Sequence, residues 1–312
     1  MGETLKIETY KSETPTVVTI GTFDGVHVGH QKIIKRLIAI AKREGLHSVI
    51  LTFFPHPRMV LQKDANIKLI NTIEERSKIL QDLGLDFLVI KQFTKGFSRL
   101  SAEDFVKTIL IDKLHIKKVI IGYDHRFGRN RNADIKDLKR FGLEFGFGVE
   151  EISVQDINDV AVSSTKIRNA ILNGNIVLAN TYLGYSYMLT GNVVRGRGIG
   201  KQLEYPTANL DIVEPYKLIP KYGVYIVKSQ LEGATVFGMM NIGTNPTVNG
   251  DKETIEVHFF DFNKPLYGQR LKVEILERIR DEQKFDSVSA LQLQLQNDKQ
   301  FSLNFIKHHN AK

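Results

Sequence analysis

The chain contains no cysteine and no tryptophan, and it has no apolar run long enough to span a membrane. Without cysteine it has no disulfide bond and no thiolate metal site, which is consistent with a reducing compartment. Residues 1–6 are polar and mixed in charge, so we expect no signal peptide. Together these absences predict a cytoplasmic protein that does not associate with membranes.

The composition is typical of globular proteins, and the chain is long enough for two domains, each with its own core. Its 312 residues are 42% hydrophobic and 25% charged, with a formal net charge of +8. Such a charge is one sign of nucleic-acid binding. The basic residues are scattered among acidic ones, however, and an excess of this size also suits an enzyme whose substrates are polyanionic nucleotides. We therefore rank small phosphorylated ligands above nucleic acid.

The first half of the chain alternates between strand and helix patterns. Uninterrupted apolar runs predict strands, and amphipathic stretches between them predict helices. This order predicts a Rossmann-like parallel sheet that is covered on both faces and binds its ligands at the carboxyl ends of the strands. The strand runs are residues 17–20, 49–53, 87–90 and 119–121, and the helical stretches are residues 33–41, 73–83, 102–110 and 135–141.

The pattern changes near residues 183–188. Short alternating or β-branched runs follow, separated by Gly, Pro and Asn turns, and they predict an antiparallel barrel or sandwich. A helical pattern through Val288, Leu291 and Leu295 closes the chain. The predicted domains are therefore residues 1–184 and 185–312. The β runs are residues 188–194, 224–227, 235–242, 254–260 and 271–276.

Residues 21–30, Gly-Thr-Phe-Asp-Gly-Val-His-Val-Gly-His, lie between a predicted strand and a predicted helix. Glycines in such a loop allow close backbone approach to phosphates, and the helix start favours anions. His27 and His30 lie where a phosphate would bind, and their imidazoles can donate hydrogen bonds to charge that develops on it. The alternative is a glycine-rich turn with two surface histidines.

A second anion site is predicted at residues 163–168, Ser-Ser-Thr-Lys-Ile-Arg. Ser and Thr are common helix caps, so a capped helix is the simpler explanation. Three hydroxyls, a lysine and an arginine at one helix start also favour phosphate. With the histidine loop upstream, we interpret this segment as a second phosphate clamp.

These two motifs, G-x-F-D-G-x-H-x-G-H and S-S-T-x-I-R, resemble the nucleotidyltransferase module of the prokaryotic bifunctional riboflavin kinase/FAD synthetase family. The resemblance implies transfer of AMP from ATP to FMN, with His27 and His30 stabilising the α-phosphate. It also implies that the triphosphate or leaving pyrophosphate is held by Ser164, Thr165 and Arg168. The residues that would shape the ATP pocket are Gly21, Phe23, Asp24 and Gly29.

Two further segments resemble the flavin side of that module. They are residues 52–57, Thr-Phe-Phe-Pro-His-Pro, and residues 122–128, Gly-Tyr-Asp-His-Arg-Phe-Gly. The implied flavin contacts are Pro55, His56, Asp124 and Phe127. His56 between two prolines is equally well explained as a rigid turn residue.

The second half has a glycine-rich stretch, residues 191–200, followed by Pro-Thr-Ala-Asn at residues 206–209. It lacks the G-K-[ST] of a Walker P-loop. A threonine hydroxyl there can ligate Mg²⁺ while the asparagine amide holds a phosphate. Downstream, Glu256 lies on an alternating strand, on one face with His258 and Phe260. It is either a solvated surface carboxylate or the general base that deprotonates an alcohol.

These residues resemble the riboflavin kinase module of the same family. The resemblance implies that Thr207 and Asn209 form the metal–nucleotide site and that Glu256 is the base for the ribityl hydroxyl. The glycines assigned to ATP are Gly196, Gly198 and Gly200. The similarity extends over residues 15–306.

We therefore expect a bifunctional enzyme that uses ATP and Mg²⁺ to convert riboflavin to FMN and FMN to FAD, releasing pyrophosphate in the second step. Two alternatives stay open: loss or weakening of one activity, or a flavin- or RNA-binding regulator on the same scaffold. The positions that depart from the family pattern are Phe54, His125, Tyr185 and Glu204.

Overall fold

The computed structural model describes residues 2–62, 66–122, 125–152, 162–196, 205–247 and 250–309. Contacts between Cα atoms divide the chain into two compact units, Met1–Ser164 and Thr165–Lys312. The first unit contains a six-stranded parallel sheet and the second a closed antiparallel barrel with a long C-terminal helix. The predicted fold class is therefore confirmed.

In the first unit every pair of neighbouring strands is parallel. The strands lie in the order β1-β4-β3-β2-β5-β6, so the direction in which the chain builds the sheet reverses beside β2. The strands are β1 (Glu3–Lys6), β2 (Thr16–Ile20), β3 (His47–Phe54), β4 (Phe87–Gln92), β5 (Ile116–Gly122) and β6 (Gly148–Ile152). The helices are α1 (Val28–Glu44), α2 (Pro57–Leu61), α3 (Ile73–Asp82), α4 (Ala102–Phe105, continued by the π-helical turn Val106–Ile111) and α5 (Ile135–Phe145).

The apolar strands of this sheet are buried because helices cover both faces. Successive strand residues contribute to different clusters: Val17 and Ile50 pack with α1 residues such as Leu37, whereas Val18 and Leu51 pack with a cluster that includes residues of α4 and α5. This burial on both sides explains why the strands read as continuous apolar runs.

Helix α6 (Ser164–Leu172) starts at the last residue of the first unit and continues into the second, where α7 (Ile176–Leu183) follows. Asn180 connects α7 to the barrel: its side-chain amide donates to the Ile275 carbonyl at 2.9 Å and accepts from the Tyr187 amide at 2.7 Å. The remaining elements are β7 (Met188–Val194), β8 (Ala208–Asp211), β9 (Gly223–Leu231), β10 (Ala234–Thr247), β11 (Gly250–Phe259), β12 (Arg270–Arg280) and α8 (Val288–His309).

The barrel closes in the order β10-β11-β8-β7-β12-β9. On β11, Ile255, Val257 and Phe259 are buried, while Glu256 and His258 are half-buried on the other face. The predicted alternation is therefore confirmed for residues 255–259, whereas Phe260, predicted on the face of Glu256, is buried and lies just beyond the end of the strand. Helix α8 is fixed to the barrel by a buried carboxylate, Asp298, that accepts three hydrogen bonds from Arg280 at the end of β12.

Within the residues described, no helix combines the length and the apolar character that crossing a membrane requires.

Candidate active sites

The loop at residues 21–27 leaves the carboxyl end of β2, beside the point where the strand order reverses. Ligands of open α/β sheets bind in the crevice at such a point. His27 caps α1, because its Nδ1 accepts a hydrogen bond from the His30 amide at 3.3 Å. The loop therefore delivers both histidines to a helix N-terminus, which is a natural site for a phosphate.

The two imidazoles lie against each other. The His27 and His30 rings stack with centroids 3.6 Å apart and planes 18° apart, and the Phe23 ring meets His30 edge-on at 5.0 Å. The His30 Nδ1 atom is enclosed, and no group in the described part of the chain forms a hydrogen bond with it.

Burial keeps both histidines neutral near pH 7. It lowers the pKa of His27 to about 4, although Asp24 acts in the opposite direction. Burial also lowers the pKa of His30 well below its usual value, and the neighbouring His27 and Arg76 lower it further. Each neutral imidazole retains one N–H group that can donate to a phosphate oxygen.

We expect this neutrality to appear as a pH-dependent stability. The pKa of His27 falls from 6.5 in the unfolded chain to about 4 in the fold, so its contribution is complete above pH 6.5 and is lost as the pH falls toward 4. Linkage gives a loss of about 2 kcal/mol in unfolding free energy between pH 7 and 5 from this residue. Urea denaturation at the two pH values measures it. The unfolding free energy of a His27→Gln variant should fall by about 2 kcal/mol less over this pH range. An equal fall in both proteins would contradict the assignment of this pH dependence to His27.

The glycines and Asp24 shape the loop from within. A Cβ atom at Gly29 would lie 3.3 Å from the His27 ring, and one at Gly21 would lie 3.0 Å from the Phe23 ring. Asp24 is 1% exposed, and its carboxylate accepts from the Ile70 amide at 3.0 Å. The role of these residues in the ATP pocket stays a prediction, and the geometry favours an indirect role for the Asp24 carboxylate.

Ser164 is brought to the same loop. Its hydroxyl donates to the Asp24 carbonyl at 2.9 Å, and both residues belong to the first unit. Thr165 and Arg168 follow on that helix, in the second unit; Thr165 is exposed and Arg168 is half-buried. Their contribution to a phosphate site stays a prediction.

The predicted flavin contacts lie at or after the carboxyl ends of β3 and β5. His56 caps α2, since its Nδ1 accepts from the Arg58 amide at 3.2 Å, which supports the turn-residue alternative. Pro55 is half-buried beside it. Phe127 is 7% exposed and packs against Phe105 in the core. Asp124 lies outside the described residues, so all four flavin contacts stay predictions.

In the second unit, the Pro-Thr-Ala-Asn segment meets β11. Thr207 donates from its hydroxyl to the Glu256 carboxylate at 3.0 Å, and Asn209 on β8 lies directly opposite Glu256 in the strand register. A side chain at Gly196 would collide with the Asn209 amide. The structure therefore brings together four of the residues predicted for the kinase. The other two, Gly198 and Gly200, lie outside the described residues, as does Glu204.

Sequence reasoning missed a neighbour of this cluster. Asn241 on β10 lies opposite Glu256 on the other side of β11. Side chains of directly opposed residues in an antiparallel pair point to the same face, so two asparagines flank the carboxylate. Alternation along β10 places Asn241 on a face, but only the register shows that it is opposite Glu256.

The donor set of this cluster fits a hard divalent cation carried by a nucleotide. Hydroxyl and amide oxygens suit Mg²⁺, which is commonly bound through substrate phosphates with few protein ligands. Within the described ranges, no group of three or more His, Asp or Glu residues is placed so that it could hold a metal ion.

A histidine-bearing loop at the switch point of a parallel sheet, followed by a barrel with a Thr–Glu–Asn cluster, is typical of a nucleotide-dependent transferase. Comparison with known families agrees for both units. Residues 9–166 match the FAD synthetase family model and residues 183–306 match the riboflavin kinase model.

Relatives that match over nearly their whole length are named for both riboflavin kinase and FMN adenylyltransferase activity. The chain is 39% identical, over 92% of its length and 93% of the relative's, to the bifunctional riboflavin kinase/FMN adenylyltransferase of Buchnera aphidicola subsp. Schizaphis graminum. It is 38% identical to the Listeria monocytogenes protein of the same description, over 91% of this chain and 90% of that one. The chain therefore belongs to the bifunctional riboflavin kinase/FMN adenylyltransferase family.

A solved structure shares the whole fold. A Streptococcus pneumoniae chain described as a macrolide-efflux protein superimposes with a TM-score of 0.87 at 32% identity, covering 96% of this chain and 99% of that one. The description as a macrolide-efflux protein applies to that Streptococcus pneumoniae chain only.

Both predicted activities are thus present: the protein is a transferase that acts as riboflavin kinase and FMN adenylyltransferase. The comparisons do not support loss of one activity or a regulatory role. Family enzymes use ATP and flavins and generally require a divalent metal. The two family models leave residues 167–182 unassigned, and the predicted boundary between residues 184 and 185 stays a prediction.

Proposed function

We propose that the histidine loop after β2 carries out adenylyl transfer from ATP to FMN. The FMN phosphate is the nucleophile, so the protein contributes positioning and charge stabilisation and needs no nucleophilic side chain. His27 and His30 donate hydrogen bonds to the α-phosphate as charge builds on it. The stacked, neutral pair at the α1 N-terminus supports this role. We assign the β- and γ-phosphates to Ser164, Thr165 and Arg168.

In the barrel we propose that Glu256 removes the proton from the ribityl hydroxyl of riboflavin while that oxygen attacks the γ-phosphate of ATP, and the bond to the β-phosphate breaks to release ADP. The observation that carries this assignment is the hydrogen bond from Thr207, which fixes one carboxylate oxygen. Asn209 and Asn241 lie opposite Glu256 on the two neighbouring strands and supply the other polar side chains of the site. Gly196, packed on Asn209, lets the backbone approach the nucleotide closely.

We further propose Mg²⁺ as the divalent metal, with Thr207 and Asn209 as its protein contacts in the kinase site. When bound, the ion neutralises triphosphate charge. We also propose riboflavin, FMN and ATP as the substrates and a cytoplasmic location, where ATP is abundant.

Product analysis tests the function directly. Purified protein is incubated with riboflavin, ATP and Mg²⁺, and FMN and FAD are separated by chromatography. We expect FMN to appear first and FAD to follow. FMN without FAD would contradict adenylyl transfer, whereas no flavin product would contradict both assignments. Replacing Mg²⁺ with EDTA should stop both steps.

A further inference from the structure

Arg76, on helix α3, carries a fully buried charge, and none of the roles proposed above involves it. It is 1% exposed and lies in the first turn of α3. That turn is held by a capping box: Thr72 accepts from the Glu75 amide at 3.1 Å, and Glu75 accepts from the Thr72 amide at 3.0 Å. The start of α3 is thus fixed, and with it the origin of the Arg76 side chain.

The guanidinium group of Arg76 reaches the histidine loop at two points. One terminal nitrogen donates to the Thr22 carbonyl at 2.7 Å, and the other lies 3.4 Å from the Asp24 carboxylate. These two acceptors bracket Phe23, whose φ of 46° lies in the left-handed region that a bulky residue rarely adopts. The planar, forked guanidinium suits this double contact better than an ammonium group does.

The bracketed residue contacts His30. With Phe23 held in this conformation, its ring meets the His30 imidazole edge-on at 5.0 Å, on the ring that also stacks on His27. A chain of contacts therefore runs from α3 through the turn to the histidine pair. Asp24 extends it, because its carbonyl accepts from Ser164.

The same guanidinium acts on His30 through its charge. Burial is the largest cause of the lowered pKa of His30, and two groups that gain or carry positive charge, His27 from its own loop and Arg76 from α3, lower that pKa further. Asp24 acts on His27 in the opposite direction. Without Arg76, the pKa of His30 should rise.

We infer that Arg76 is a positioning residue for adenylyl transfer: its guanidinium holds the turn at residues 22–24, and through Phe23 it holds His30, in the geometry that receives the transferring phosphate. This inference rests on the proposed role of the histidine loop.

The test uses the full chain: FMN formation measures the intact second unit, and far-ultraviolet circular dichroism with thermal unfolding measures folding of the first unit, which contains Arg76, in every variant. Arg76→Met should lower kcat for conversion of FMN to FAD by about 10- to 100-fold, the scale expected when a catalytic group is misplaced. It should also move the acidic limb of the pH profile to higher pH. Arg76→Lys keeps the charge without the forked contact, so the rate should fall while the limb stays in place. FMN formation should be unchanged, and the exposed Arg43→Met is the matched control.

Removing one member of a buried ion pair threatens folding. The double variant Asp24→Asn/Arg76→Met removes both charges and should still lose adenylyl transfer while it forms FMN. An unchanged FMN-to-FAD rate in the double variant would overturn the inference. So would a lower rate in Arg76→Met with no movement of the acidic limb, which would mark a purely structural residue. Wild-type protein that forms no FAD would instead contradict the proposed function of the loop.

Discussion

Glu256→Gln is expected to abolish conversion of riboflavin to FMN while FMN is still converted to FAD. Glutamine keeps the size of the side chain and an oxygen that can accept from Thr207, but it cannot take up the hydroxyl proton. Loss of a general base lowers a rate by about 10²- to 10⁴-fold. FMN formation from riboflavin, and separately FAD formation from added FMN, measure the two steps.

A neighbouring carboxylate supplies the control. Glu253 lies on the same strand, is exposed, and falls on the alternate position to Glu256. Glu253→Gln should leave FMN formation close to that of the wild type. If Glu256→Gln retained the wild-type rate, the solvated-surface explanation of this carboxylate would be correct.

His30→Ala should have the opposite effect, stopping FAD formation and sparing FMN formation. It removes the imidazole that stacks on His27 and whose Nδ1 atom is enclosed. Removal of one hydrogen-bond donor to developing charge costs about 10²- to 10³-fold in kcat. Single-turnover conversion of FMN with saturating ATP measures the loss.

The matched control for that variant is His47→Ala in the same unit. His47 begins β3, at the amino end of the sheet, away from the carboxyl ends where the histidine loop lies. Its replacement should leave both reactions near wild-type rates. Equal loss of FMN and FAD formation in His30→Ala would refute separate sites for the two reactions.

The main elements of both units were predictable because their patterns are strong and local. The apolar runs of β2, β3 and β5 predict a doubly covered parallel sheet, and the structure confirms it. β1 and β6 were not predicted. They are the two edge strands, with half-buried and exposed residues along most of their length, so neither shows a continuous apolar run.

In the histidine loop, too, sequence patterns predict local features but not the contacts with distant residues. Its spacing and its place between a strand and a helix predict that His27 and His30 meet a phosphate. No pattern near the histidine loop predicts a contact with Arg76, which lies 46 residues beyond His30. From the sequence, Arg76 is interpreted as an ordinary arginine on the surface of a helix. Asp24 was predicted to shape the ATP pocket; the fold shows that its carboxylate faces the amides of residues 70 and 71.

The amino-acid sequence by itself therefore determined the two fold types, the order of the motifs and the chemistry of the residues within each motif. These depend on periodicity and on turns a few residues long. The tertiary structure decided which distant groups meet: Arg76 behind the histidine turn, and Asn241 beside Glu256. The physical reason is that helix packing and strand register are fixed by burial of whole apolar faces. No single local pattern records which polar side chains that burial brings together.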